Sequence, residues 1–326
     1  MTELQAGGAG TQSREALGRV APTLLSALLF LSLFYVPLLG GLFNPFAPLP
    51  IIYSFFRFGE SAALIAVLFS TLVVTAASDV RTGAFYFLSY GLMALVMARL
   101  MARQSGPTKS IAYAALATMA GTAAFFIATE GLPIGAYVEE LYKVAQALLG
   151  ELIATYKKAG MQDEQLDMLV KNSALIAKWI VNLLPGMAVS AYLLVAISNY
   201  SAYKFIQSRW KYLQSPDETD MTLWSPPEQT VFVFIAGLGL TLYPVEWSRV
   251  AGINLLVVTV LLYSVSGLFI LKFWFEKINF PKFLRMFVYI LILLQPFVAV
   301  AVAAAGLFDL WFDFRKIRSK AGVKEE

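Results

Sequence analysis

Chemistry in this chain has to be done without cysteine or histidine, since neither occurs among its 326 residues. That removes thiol reactions, disulfides, the commonest acid–base group and the commonest metal ligand. What remains are a few polar side chains set in apolar surroundings. Lys178 and Asn182 stand four residues apart, on one face of any helix that holds them both. The lysine could meet an anion inside a bundle, or run its stem along lipid to the outer interface. Asn182 could bond a neighbouring helix or a ligand. Asn254 and Tyr263 occupy a later apolar run and offer the same choice. Lys178, Asn182, Asn254 and Tyr263 are therefore the candidate ligand-binding residues. No spacing matches a phosphate loop, a paired-carboxylate site or a metal box. The expectation is a protein that is not an enzyme and needs no cofactor or metal.

The elements that must position these groups belong to a membrane. The sequence is 59% hydrophobic and only 14% charged, whereas soluble domains carry about 25% charged residues. Apolar runs long enough to span recur along nearly the whole chain, and a helix needs about 20 such residues to cross. Helices are the expected form, because lipid offers the backbone no hydrogen-bond partners. The net charge of +4 fits basic loops beside a membrane better than nucleic-acid binding, as no basic segment is interleaved with aromatics on a soluble domain. The fold expected is all-α, a polytopic transmembrane bundle of eight or nine helices with an extramembrane amphipathic helix.

Residues 1–19 contain Gly, Gln and Ser and read as a disordered tail. The first membrane half covers 20–212. Its opening span, Val20 to Gly41, is too long for a signal-peptide core and reads as uncleaved. Pro45, Pro48 and Pro50 then exclude a regular helix interior, and Ile51 to Phe58 is left as a short span, a re-entrant segment or a surface helix. Three more spans follow. The last, Ile111 to Thr129, is rich in Ala and Gly and should pack among other helices. Segment 131–162 repeats Leu141, Val144, Leu148, Leu152 and Tyr156 at helical spacing, which predicts an amphipathic helix on the bilayer surface or at an outer mouth. From Asp163 to Lys204 the pattern predicts one long helix bent at Pro185. Residues 213–228, with Pro216, Pro226 and Pro227, read as a linker. The second membrane half is 229–314, where Gln295 should help repair the helix broken by Pro296. A basic tail, 315–326, ends the chain.

Basic loops favour the cytoplasm. If Ile51–Phe58 crosses, then Arg14/Arg19, Arg99–Lys109, Lys204–Lys211 and Lys272–Arg285 all fall inside, but the tail falls outside. An incomplete last crossing would return the tail to the inside.

Most of the chain from Val20 onward resembles the YybS-like family of predicted bacterial membrane proteins. Carrying this are Leu184-Pro185, Asn199-Tyr200, Trp224 with Pro227, Asn254-Leu255-Leu256, Tyr263, Gly267, Gly306-Leu307-Phe308-Asp309 and Asp313-Phe314-Arg315-Lys316. The resemblance implies a bacterial inner membrane and no particular activity. More distantly, the first half is similar to the substrate-binding S components of energy-coupling-factor vitamin transporters, through Pro48-Leu49-Pro50, the short second helix and the Gly/Ala-rich spans. Two functions are expected from these readings. One is a small-molecule-binding or transport-related protein with a cavity among its helices. The other is a membrane scaffold or assembly partner, with other proteins rather than a solute as its ligands.

Overall fold

The computed structural model describes residues 3–131, 134–160, 164–210, 213 and 220–316, with side chains from Gly18 onward except at 37, 38, 130, 134 and 165. Among them every regular element is helical: α1 Glu3–Tyr35, α2 Pro37–Phe43, α3 Leu49–Phe58, α4 Glu60–Ala77, α5 Val80–Tyr86, α6 Leu92–Ala102, α7 Pro107–Glu130, α8 Ile134–Lys158, α9 Glu164–Arg209, α10 Thr230–Leu242, α11 Glu246–Lys277, α12 Lys282–Leu294 and α13 Pro296–Phe312. Seven stretches of the described residues are long and apolar enough to cross a membrane. An eighth is possible if α12 and α13, bent 104° apart at Gln295, count as one, and α10 is a shorter apolar helix of its own. The chain is a polytopic all-α membrane protein. α1 starts inside the segment expected to be disordered. Once the span has nucleated a helix, extending it backwards costs little.

Contacts divide the chain differently from two sequential halves. Unit 1 gathers residues 1–125, 191–227 and 263–326; unit 2 gathers 126–190 and 228–262.

In unit 1 the proline-rich entry is solved by side chains. Leu39 to Phe58 forms one candidate crossing, built from α2, a 3₁₀ turn over Asn44–Phe46, and α3. The prolines cannot donate, so carbonyls in this stretch lose their helical partners. Asn199 Nδ2 donates to the Pro45 carbonyl at 2.7 Å, and Ser26 Oγ donates to that of Ala47 at 2.6 Å. Asn44 is buried; it donates to the Phe30 carbonyl at 3.0 Å and accepts from the Tyr90 hydroxyl. Elsewhere in this core Ala27, Ala47, Ala63, Ala94, Ala98 and Ala114 are fully buried beside Met93, Met97 and Met101. On α7 only one face is covered, with Ala114, Ala115 and Thr118 buried but Ala120 and Ala123 exposed.

Polar contacts mark the two ends of unit 1. At one end Glu60 pairs with Arg99, Trp224 Nε1 donates to Thr108 Oγ1 at 3.1 Å, and the rings of Tyr53 and Trp210 meet edge-on. At the other, Tyr35 Oη reaches the Ala77 carbonyl. There Asp79 caps α5 through the amide and hydroxyl of Thr82. Those bonds, the hydroxyl's foremost, hold the Asp79 carboxyl below its ordinary range. The cap is complete above the usual carboxylate pKa and is lost as pH falls through the lowered one.

The expected linker is part of this core. Met221, Thr222, Trp224 and Pro226 are buried; residues 214–219 lie outside the described residues. Prolines and polar residues here mark an irregular segment, and burial of Trp224 and Met221 fixes it in place.

In unit 2, α8 packs on α9 through Ala145 and Leu149 against Ala177 and Val181. The apolar stripe read from the sequence lies beside this seam, with Val144, Leu148 and Leu152 exposed. Alanine lets the two backbones approach, so the packed seam is offset from the stripe of large residues. α10 and α11 cross closely, since a Cβ on Gly252 would stand 2.5 Å from the Thr241 amide nitrogen. Ser248 Oγ adds a bond to the Leu240 carbonyl at 2.9 Å.

The end-to-end arrangement of unit 1 can be tested directly, because the natural chain has no cysteine. Single substitutions Ser105→Cys, Ser225→Cys and Lys316→Cys should react with an impermeant maleimide from one side of sealed membranes, and Ser78→Cys only from the other. Labelling of Lys316→Cys and Ser105→Cys from opposite sides would contradict it.

Candidate functional site

Lys178, Asn182 and Asn254 come together in unit 2, where α9 meets the turn between α10 and α11. A helix of 46 residues carries the first two, with Pro185 inside it and no interruption. Glu246 opens α11, and Lys178 Nζ lies 2.6 Å from its carboxylate. Lys178, Trp179, Asn182, Leu175, Pro244, Glu246 and Arg249 line one open cavity of about 380 Å³. Both sides of the Lys178–Glu246 pair are more than half exposed, so the bridge is accessible to a competing charge. The Asn182 carboxamide has no hydrogen-bond partner among the described residues. Arg249, three residues after Glu246, brings a second cation. The cavity therefore offers two cations, one anion, an amide and an indole.

Asn254 is spent on structure. Its Oδ1 accepts the Gly186 N–H at 2.6 Å. Its Nδ2 donates to the carbonyls of Asn182 and Val250, both at 2.8 Å. The carboxamide thus pairs like a peptide group with the helix turn that contains Pro185. Only glycine fits at 186, where a Cβ would stand 2.6 Å from Asn254 Oδ1. The ligand contact expected of Asn254 gives way to an interhelical clamp.

Tyr263 belongs to unit 1. It is buried and borders a cavity of about 40 Å³ with Ser225, Pro226, Gly306 and Asp309, room for about one water molecule. A solute contact there has no space. Its backbone instead seats α13: a Cβ on Gly306 would stand 1.9 Å from the Tyr263 carbonyl oxygen, and one on Gly267 would stand 2.0 Å from that of Val302.

Beside Tyr263 lies a buried group that the sequence did not single out chemically. Arg315 has a fully buried side chain. Nε and Nη2 donate to Asp309 Oδ2 at 3.1 and 2.6 Å. Nη1 donates to the carbonyls of Thr222 and Trp224 at 2.7 and 2.8 Å, and Nη2 also to Ser266 Oγ at 3.4 Å. These five bonds match the five N–H donors of a guanidinium. Asp313, in the left-handed conformation at φ 44°, turns the chain back so that Arg315 can reach. Sequence reasoning placed Arg315 in a solvated basic tail. The only signal against that was its nearness to Asp309 in a shared motif. Gln295 does not repair its helix; it takes an extended conformation at the break.

Residues 24–310 match a family described as "Predicted membrane protein (DUF2232)". The chain belongs to that family. No curated protein and no solved structure matches it. The match covers α10 to α13 almost entirely and stops just short of Arg315.

Arg315→Ala should leave Asp309 charged and unpaired in the core, at a cost of about 3–5 kcal/mol. Arg315→Lys should recover little, since an ammonium cannot replace the fork of donors. Denaturant titration of the detergent-solubilised protein, followed by far-UV circular dichroism, reads both. An unchanged midpoint for Arg315→Ala would show that the pair is not a structural lock.

Proposed function

We propose that this protein binds a small charged solute in the cavity between α9 and the α10–α11 turn, as a binding or transport-related component of a bacterial inner membrane. The carrying observation is that Lys178 and Asn182, the two polar groups on one face of the long helix, share an open cavity with Glu246 and Arg249. Its volume falls in the range of small-molecule sites. With two cations against one carboxylate, the favoured solute bears a carboxylate or phosphate and competes with Glu246 for Lys178 and Arg249. The Trp179 ring supplies an apolar wall. The distant likeness of the first half to substrate-binding S components supports the same reading. Binding, not catalysis, is what these groups are suited to do.

A second reading draws on unit 1. Its closely packed alanines and methionines suit a scaffold or assembly partner, acting through protein contacts.

Mass spectrometry of the purified full chain separates the two. The binding reading expects one small anionic or zwitterionic solute retained by the natural sequence and lost from Lys178→Met and Arg249→Gln. If the natural chain carries no solute beyond those of an unrelated membrane protein, the binding reading fails. A stoichiometric protein partner in its place would favour the scaffold.

A further inference from the structure

Within unit 1, helices α3, α4, α6 and α7 enclose a groove of about 720 Å³. Its walls are Leu64, Leu92, Leu95, Leu100, Leu116 and their neighbours, and its charged residues are Glu60, Arg99 and Arg103. From these observations we infer that the groove is a site for one anionic phospholipid, with an acyl chain along the walls and the phosphate at Arg103.

The length of the groove fits a single leaflet. Along α6 and its cap the lining residues run from Leu92 to Arg103, eleven helical steps or about 16 Å at the α-helical rise. That is about half of a 30 Å hydrocarbon core. The charged groups mark the mouth, because Glu60 opens α4, Arg99 closes α6, and they pair there. Trp224 meets Thr108 at the same end of the unit. Interfacial charge with an apolar slot behind it is the pattern of a lipid.

The groove opens sideways rather than into water. Leu64, Tyr113 and Leu116 line it and are 41%, 56% and 54% exposed. Ile65 and Leu68, exposed on the same helix as Leu64, continue an apolar surface that only acyl chains can cover in a bilayer. Acyl chains can enter along that surface without leaving the membrane.

Charge selects the headgroup. Glu60 offsets Arg99, while the Arg103 guanidinium has no partner among the described residues. One net positive charge remains at the mouth. It favours phosphatidylglycerol over phosphatidylcholine, because the zwitterionic choline headgroup brings its own cation.

Native mass spectrometry of the full chain, titrated with each of the two lipids, tests this. One phosphatidylglycerol should be retained per chain at a concentration about fivefold below that needed for phosphatidylcholine, the preference one interfacial arginine confers. Arg103→Gln should abolish the preference while keeping some retention of both. Ala117→Phe, which fills the groove but leaves Arg103, should reduce retention of both. Glycerol phosphate, the headgroup without chains, should not displace the lipid. Equal retention of the two lipids, an unchanged preference in Arg103→Gln, or displacement by glycerol phosphate would overturn the assignment. So would a second copy of the chain found in the groove in place of lipid. These residues are separate from Lys178 and Arg249, so either proposal can fail without the other.

Discussion

Lipid gives the backbone nothing to bond to, and this fold repeatedly departs from regular helical hydrogen bonding. The stretch from Asn44 to Pro48, the turn around Pro185 and the segment from Thr222 to Trp224 all leave carbonyls without helical partners or outside helices. Each is met by a side chain from a distant part of the sequence: Asn199 and Ser26 for the first, Asn254 for the second, Arg315 for the third. An unpaired buried carbonyl costs about 1–3 kcal/mol, so these few bonds decide which helices must be neighbours. Hydrophobic burial cannot decide it, since lipid chains are as apolar as leucine.

Close approach does the rest. Gly267 and Gly306 lie four residues from Tyr263 and three from Asp309 respectively, and both press on the facing backbone. With no Cβ at these two positions α11 and α13 come near enough for Arg315 to reach Ser266 and Asp309 together. Arg315 is tolerated without solvent because all of its donors are used and one of its acceptors is charged. A shorter cation or a bulkier residue at 306 would strand some of those groups. Packing and hydrogen bonding here are one constraint expressed twice.

The apolar runs of the sequence made the helices legible, since length and hydropathy alone require a span. Lys178 and Asn182 were legible as neighbours from their spacing of four. Glu246, the partner of Lys178, was not, because it lies 68 positions after the lysine, beside Pro244. Asn254 showed as a polar group in an apolar run, but only coordinates reveal that the Pro185 turn uses up its carboxamide. Arg315 was misread for a plain reason: an arginine past the last span matches the positive-inside pattern, and nothing local says that the chain reverses at Asp313. The segment from Met221 to Pro226 was misread similarly, its prolines signalling irregular backbone whether it is buried or free.

These assignments narrow where a ligand can bind. Asn199, Asp309 and Arg315 are buried and Asn254 is half-buried, and each already holds backbone or a counter-charge. Removing any of them to reach a solute would expose groups the bilayer cannot satisfy. Capacity for recognition is therefore pushed to positions where a polar side chain has not been recruited to the scaffold: Asn182 and Arg249 beside the α10–α11 turn, and Arg103 at the mouth of the apolar groove. Both kinds of place combine an unspent polar group with an adjoining cavity. In a protein this sparing with charge, a free donor next to open volume is a stronger indication of binding than a buried polar residue already bonded to backbone or to a counter-charge.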